Sequence, residues 1–185
     1  MSQLGFSINL AKCVGCRACA MACNAEMNTV KGTRYRTVVE KQGGTETEPK
    51  RLFVTMSCFH CKDPACLKSC PVNAITKDEN FGIVLINQDK CIGCKYCAKV
   101  CPYGAPVFNE NTKKMEKCTF CVHKVLNEDR SALTGLKPAC VNTCIGKALD
   151  FGEDVGNTGA APSEFAPRNY TNPSVTFDWG WMEPW

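Results

Sequence analysis

Long apolar runs are absent from this sequence. The greasiest stretch of its 185 residues, Phe81-Gly-Ile-Val-Leu-Ile86, has the length of a strand and falls far short of the ~18 residues a membrane-spanning helix needs. The chain is therefore not expected to span a membrane itself. Met1–Leu10 has no basic start, no apolar stretch and no twin arginine, so no export signal of its own is expected either. Large apolar side chains are scarce: Leu, Ile, Val and Phe number 38, about 21 % of the chain, close to the level at which an ordinary core becomes hard to build. Walker loops, G-x-G-x-x-G and nucleophile motifs are missing, which removes support for nucleotide, flavin or covalent chemistry. Charge is uneven, +5 over residues 1–112, +4 over 113–147 and −5 over 148–185. The basic body contains no nucleic-acid module and no run of five Lys or Arg, so no nucleic-acid partner is expected.

Cysteine is what the sequence has in excess, sixteen residues in four groups of four. Cys13, Cys16, Cys19 and Cys23 read C-x2-C-x2-C-x3-C, and Cys91, Cys94, Cys97 and Cys101 repeat that spacing before Pro102. Cys58, Cys61, Cys66 and Cys70 read C-x2-C-x4-C-x3-C before Pro71, and Cys118, Cys121, Cys140 and Cys144 read C-x2-C-x18-C-x3-C. The C-x2-C-x2-C-x3-C-P run is the bacterial ferredoxin signature: three closely spaced cysteines curl around one face of a [4Fe-4S] cubane, and the fourth points away to ligate the other cluster of a pair. Four all-thiolate zinc sites would use the same residue type, but such sites usually pair two dithiol loops and have no use for a third cysteine at x2. A disulfide scaffold suits an exported chain, and cysteines this close in sequence rarely bridge one another. Four [4Fe-4S] clusters are the expected cofactors.

The expected fold is α+β, two intertwined bacterial-ferredoxin-like 2[4Fe-4S] modules related by a pseudo-twofold, with a β-ribbon insertion and an extended C-terminal arm. Residues 51–110 form the inserted inner module, 1–50 with 111–152 the outer module, and 153–185 the arm. With fourth ligands exchanged, one cluster takes Cys58, Cys61, Cys66 and Cys101, and its neighbour takes Cys91, Cys94, Cys97 and Cys70. The outer pair takes Cys13, Cys16, Cys19 with Cys144, and Cys118, Cys121, Cys140 with Cys23. Asn73–Thr76 and Gly82–Asn87, separated by polar Lys77–Asn80, read as a hairpin beside the inner clusters. Arg34–Glu40 and Leu52–Ser57, flanking a Gly43-Gly44 turn, read as a ribbon on the surface. The loop from Val122 to Ala139 is expected to be partly helical before Gly135. All three tryptophans fall within Trp179–Trp185, and such an aromatic tail is expected to seat in a groove, with a partner's groove favoured.

Ligated thiolates change the charge: four [4Fe-4S]2+ cores would take the chain from +4 to about −4, and to about −8 when reduced. Lys12, Arg17, Lys62, Lys68, Lys95, Lys99, Lys117 and Lys124 lie near ligands, where a cation can raise a cluster's potential, although surface lysines are usually only solvated. A globule of this length is ~40 Å across, which puts four cubanes on the order of 10 Å apart, close enough for electron hopping. No set is short of a cysteine, so no cluster has an open catalytic position; the two histidines, His60 and His123, read as hydrogen-bond donors near sulfide. The chain is expected to carry electrons rather than catalyse.

The order and spacing of the groups resemble a known family. Cys13-Val-Gly-Cys-Arg-Ala-Cys-Ala-Met-Ala-Cys23, Cys58-Phe-His-Cys-Lys-Asp-Pro-Ala-Cys-Leu-Lys-Ser-Cys-Pro71, Cys91-Ile-Gly-Cys-Lys-Tyr-Cys-Ala-Lys-Val-Cys-Pro102 and Lys117-Cys-Thr-Phe-Cys121 are similar to the iron–sulfur B subunits of molybdopterin oxidoreductases of the dimethyl sulfoxide reductase type. The resemblance implies a subunit that shuttles electrons between a large catalytic partner bearing a molybdenum or tungsten pterin and either a quinol-linked membrane anchor or a soluble carrier. It implies two possible settings, the cytoplasm or export in folded form with a signal-bearing partner. The sequence departs from relatives at Cys144-Ile145, where Cys-Pro is common, and in its short aromatic C-terminal region. The alternative reading is a free-standing polyferredoxin.

Overall fold

A computed structural model of the chain describes residues 2–153 and 171–180. Its regular elements are short. Strand β1 (Leu4–Asn9) puts Leu4, Phe6 and Ile8, each fully buried, on one side and alternates them with Gly5, Ser7 and Asn9, the period of two that a half-buried strand requires. Helix α1 (Ala18–Glu26) follows, then the ribbon β2 (Arg36–Gly44) and β3 (Pro49–Ser57). The middle of the chain holds α2 (Ala65–Lys68), the hairpin β4 (Ile75–Lys77) and β5 (Val84–Ile86), α3 (Tyr96–Val100), and the hairpin β6 (Val107–Asn109) and β7 (Lys114–Glu116). The remainder is α4 (Val122–Val125), α5 (Ala139–Asn142), β8 (Leu149–Glu153) and β9 (Val175–Asp178). Helices of four to nine residues are not stable alone in water, so these persist only through what they pack against.

β1 is the middle strand of a three-stranded sheet. It runs antiparallel to β8, with Leu4 opposite Glu153 and Ile8 opposite Leu149, and parallel to β9, with Phe6 opposite Val175 and Asn9 opposite Asp178. Aromatic rings close the core beneath it: Phe6 meets Phe120 edge-on at 4.8 Å, and Phe59 meets Tyr103 and Phe177 at 5.1 and 6.1 Å. Edge-on pairs of this kind add about 0.5–1.5 kcal/mol each beyond area burial.

Two expectations are corrected here. The arm over 153–185 is not free in its described part: β9 is a sheet strand, Val175 and Phe177 are buried, and Trp179 packs against the chain's own core. Trp181 and Trp185 lie outside the described residues. The ribbon β2–β3 is not merely a surface flap, because Leu52, Val54, Met56, Thr55 and Ser57 are buried along its proximal half. Its turn is Thr45–Glu48 rather than Gly43-Gly44, with the Glu48 amide donating to Thr45 Oγ1 at 3.1 Å. The expected hairpin at 73–87 forms as β4–β5, and the segment after Cys121 is helical over α4. Hairpin β6–β7 has no signature in the sequence; it carries Met115 into a second apolar cluster with Ile75, Val84 and Cys97.

Candidate metal centres

All sixteen cysteines are free, and the fold sorts them into four mixed sets. Cys13, Cys16, Cys19 and Cys144 line one cavity, Cys58, Cys61, Cys66 and Cys101 a second, and Cys70, Cys91, Cys94 and Cys97 a third. These cavities enclose about 370, 370 and 300 Å³, counting open solvent at their mouths. Cys23, Cys118, Cys121 and Cys140 make the fourth set, close enough that Cys140 and Cys121 help hold the Cys23 thiol protonated, and Cys23 and Cys140 do the same for Cys118. The sulfurs ring these spaces instead of meeting at a point: among the described residues no three His, Cys, Asp or Glu side chains are arranged to hold a single metal ion.

Local backbone explains the sorting. In each tight loop the chain turns through left-handed conformations, at Gly15 and Arg17 before α1 and at Gly93 and Lys95 before α3. At Gly15 a Cβ would come within 2.6 Å of the Phe53 ring, and at Gly93 it would run into the Lys113 carbonyl, so the loops close only around glycine. The helices then separate each third cysteine from its fourth. Cys19 and Cys23 sit four residues apart on α1, about 6 Å along its axis, and so reach two different sets. Cys97 on α3 and Cys101 at its end divide in the same way, as do Cys66 and Cys70 at α2 and Cys140 and Cys144 at α5. Cys70 and Cys144 each accept a hydrogen bond from the amide four residues on, Ala74 and Ala148, both at 3.2 Å. Met115 N–H donates to Cys91 Sγ at 3.4 Å.

Burial pushes the Cys23, Cys61 and Cys66 thiols up to about 12 and the Cys97 thiol to about 11; Cys13, Cys101, Cys118 and Cys121 are raised as well. Such sulfurs stay protonated at neutral pH until a cation takes the proton's place, so metal binding and the ordering of these sites are linked. Cys16 and Cys94 are the exposed cysteines, in different sets, and exposed apolar residues adjoin ligands of each set along the chain: Val14 and Ile145 in the first, Ile92 and Tyr96 in the second.

Two buried cations lie among the sets. Lys117, expected to be solvated, is 3 % exposed; its Nζ donates to the carbonyls of Val84 and Cys118, and it lines the cavity of Cys58, Cys61, Cys66 and Cys101. Arg36 carries no signal in the sequence, because an arginine in a ribbon reads as solvent-facing; it is 1 % exposed. Burial works against its charge, yet Cys140, Cys118, Cys19 and Cys23, once ionised, overcome that and hold the guanidinium above its ordinary value. His60 is buried and stacked on Phe120 at 3.7 Å. Its Nδ1 accepts from the Val84 amide at 3.0 Å, and burial, with Lys117 next, pushes it well below the usual range, so it is neutral with its proton on Nε2. His123 instead bonds Glu26 at 2.9 Å across the α1–α4 contact.

Residues 49–154 match the family model for a 4Fe-4S dicluster domain, and residues 10–29 match a 4Fe-4S binding domain. The B subunit of the anaerobic dimethyl sulfoxide reductase of Escherichia coli is 39 % identical over 159 residues, covering 82 % of this chain and 74 % of the relative. This protein belongs to the iron–sulfur B subunits of dimethyl sulfoxide reductase-type oxidoreductases. Other members of that family stand at similar distance: the B subunit of the tetrathionate reductase of Salmonella typhimurium is 37 % identical over 79 % of this chain and 56 % of its own length. The B subunit of the sulfite dehydrogenase of Allochromatium vinosum is 37 % identical over 83 % of this chain and 70 % of its own length. As a B subunit the chain carries 4Fe-4S centres and transfers electrons without catalysing. Among the described residues no helix is long and apolar enough to cross a membrane.

Proposed function

We propose that the chain holds four [4Fe-4S] clusters in a row and relays electrons between a large catalytic subunit carrying a molybdenum or tungsten pterin and a quinol-linked membrane anchor or soluble carrier. The ligand sets are Cys13, Cys16, Cys19 and Cys144; Cys23, Cys118, Cys121 and Cys140; Cys58, Cys61, Cys66 and Cys101; and Cys70, Cys91, Cys94 and Cys97. The observation that carries this is the mixing of groups, three thiols from one stretch with one from another, around a cavity. Each cluster, when bound, supplies a one-electron site stabilised by thiolates and by amide N–H groups facing sulfur.

The protein's own part is spacing and insulation. α1 and α5 tie the first two sets together, α2 and α3 tie the last two, and Cys58 lies near enough to Cys118 to add to the upward push that burial gives the Cys118 thiol, which joins the outer pair to the inner. This supports an inner module over 51–110 inserted into an outer one. The exposed Cys16 and Cys94, with the exposed apolar residues Val14, Ile145, Ile92 and Tyr96 next to ligands of their sets along the chain, support these two sets as the points where electrons enter and leave. Anaerobic purification of the full chain from its native host should give about 16 irons per polypeptide, a dithionite-induced paramagnetic signal, and a stoichiometric large subunit containing a pterin. A chain with far fewer irons would refute the cluster count, and a monomer that exchanges electrons broadly would refute the subunit assignment in favour of a polyferredoxin.

A further inference from the structure

Among the described residues no carboxylate pairs with Arg36. Its Nη1 donates to Thr55 Oγ1 at 2.8 Å and its Nη2 to Ser57 Oγ at 3.0 Å; its Nε makes no hydrogen bond, and its guanidinium carbon sits 4.3 Å from the centroid of Phe6. A lone buried charge is costly, so an anion has to compensate it. The hydroxyls that hold it point to where that anion is. Thr55 Oγ1 lies 3.5 Å from Cys19 Sγ and can donate its proton to that sulfur once it is a thiolate, and Thr55 lines the cavity of Cys13, Cys16, Cys19 and Cys144. Ser57 Oγ donates to the carbonyl of Cys58 at 3.3 Å. β2 and β3 thus bring one fixed positive charge to the flank of the outer sets, inside an apolar shell formed by Phe6 and its neighbours.

We propose that Arg36 is the internal counter-ion of the two outer clusters and sets their potentials: by stabilising their reduced form more than their oxidised form, it makes them easier to reduce than they would otherwise be. The deduction rests on the cluster assignment above. Adding one electron to a [4Fe-4S]2+ core with four thiolates takes the site from −2 to −3, and an adjacent fixed cation favours the more negative state. The charge works together with the Thr55 hydroxyl, which reaches the Cys13 set, and it leaves the Cys70, Cys91, Cys94 and Cys97 set out of its reach. Arg36 is a positioning and tuning residue, not a ligand.

The test is an anaerobic redox titration of the full chain with the subunits that accompany it, using dithionite as reductant and following each cluster's paramagnetic signal, assigned by single cysteine variants. Arg36→Met should keep its iron and lower the reduced-to-oxidised ratio of at least one outer cluster about tenfold at fixed ambient potential, which is about 59 mV for a one-electron couple. The cluster of Cys70, Cys91, Cys94 and Cys97 should change less than twofold, and Arg36→Lys, which keeps the charge without the planar fork, should stay within about threefold of the parent. Unchanged outer potentials in an iron-replete Arg36→Met, or an equal shift in Arg36→Lys, would overturn the proposal and leave Arg36 a packing residue. Should Arg36→Met fail to assemble, Thr55→Val decides: a downward shift confined to the Cys13-set signal supports the relay, and no shift overturns it. A parent protein without iron would instead refute the cluster assignment itself.

Discussion

Cys23→Ser separates the exchanged-ligand arrangement from a local one. Cys23 is 4 % exposed and sits on α1 one turn beyond Cys19, yet its sulfur keeps company with Cys118, Cys121 and Cys140, nearly a hundred residues or more downstream. Serine is a far poorer ligand, and this position already resists ionisation, with the thiol itself pushed up to about 12 by burial. The variant should therefore damage the distant cluster and spare the one formed by Cys13, Cys16, Cys19 and Cys144. Three remaining thiolates hold either a three-iron core or nothing, so iron should fall from about 16 to between about 12 and about 15 per chain. The assay is iron and sulfide analysis with paramagnetic spectra of three single variants and two doubles. Cys23→Ser should match Cys118→Ser and differ from Cys13→Ser; combining it with Cys118→Ser should add little loss, whereas combining it with Cys13→Ser should remove a second cluster, the non-additivity expected of residues that share one site. A Cys23→Ser spectrum that matches Cys13→Ser would refute the exchange.

Two further outcomes follow from the fold. Phe177→Ala removes a ring 1 % exposed from beneath the central sheet, and loss of such a side chain costs about 3–5 kcal/mol; the denaturant midpoint, followed by bleaching of the cluster absorption under anaerobic conditions, should drop clearly, and an unchanged midpoint would mean that β9 is not seated as described. Gly93→Ala places a side chain in a left-handed conformation that costs about 1–2 kcal/mol and against the Lys113 carbonyl, so the Cys91, Cys94 and Cys97 site should lose metal selectively. Gly104→Ala is the control, with a similar φ of +60° and nothing within 4 Å of the added carbon, and should retain all its iron.

The cysteine grouping, the x3 spacing that suggests fourth-ligand exchange and the β4–β5 hairpin are legible in the primary structure because each is a matter of short-range spacing. β1 carries a local signal too, since Leu4, Phe6, Ile8 and Leu10 alternate with smaller or polar residues. Hairpin β6–β7 offers only three residues per strand, too few for any periodicity to register.

Composition and spacing by themselves determined that cysteine-bound iron–sulfur chemistry is what this chain carries, and electron transfer what it does. What no local pattern carries is which side of a strand ends up facing a cluster or which distant segments meet. The union of β1 with β9, whose partners Phe6 and Val175 are 169 positions apart, and the burial of Arg36 against Thr55 and Ser57 depend on the packing of the whole chain. An arginine looks the same in sequence whether water or a ring of thiolates surrounds it, and only the assembled interior, with its low dielectric and fixed distances, turns that charge into a chemical influence.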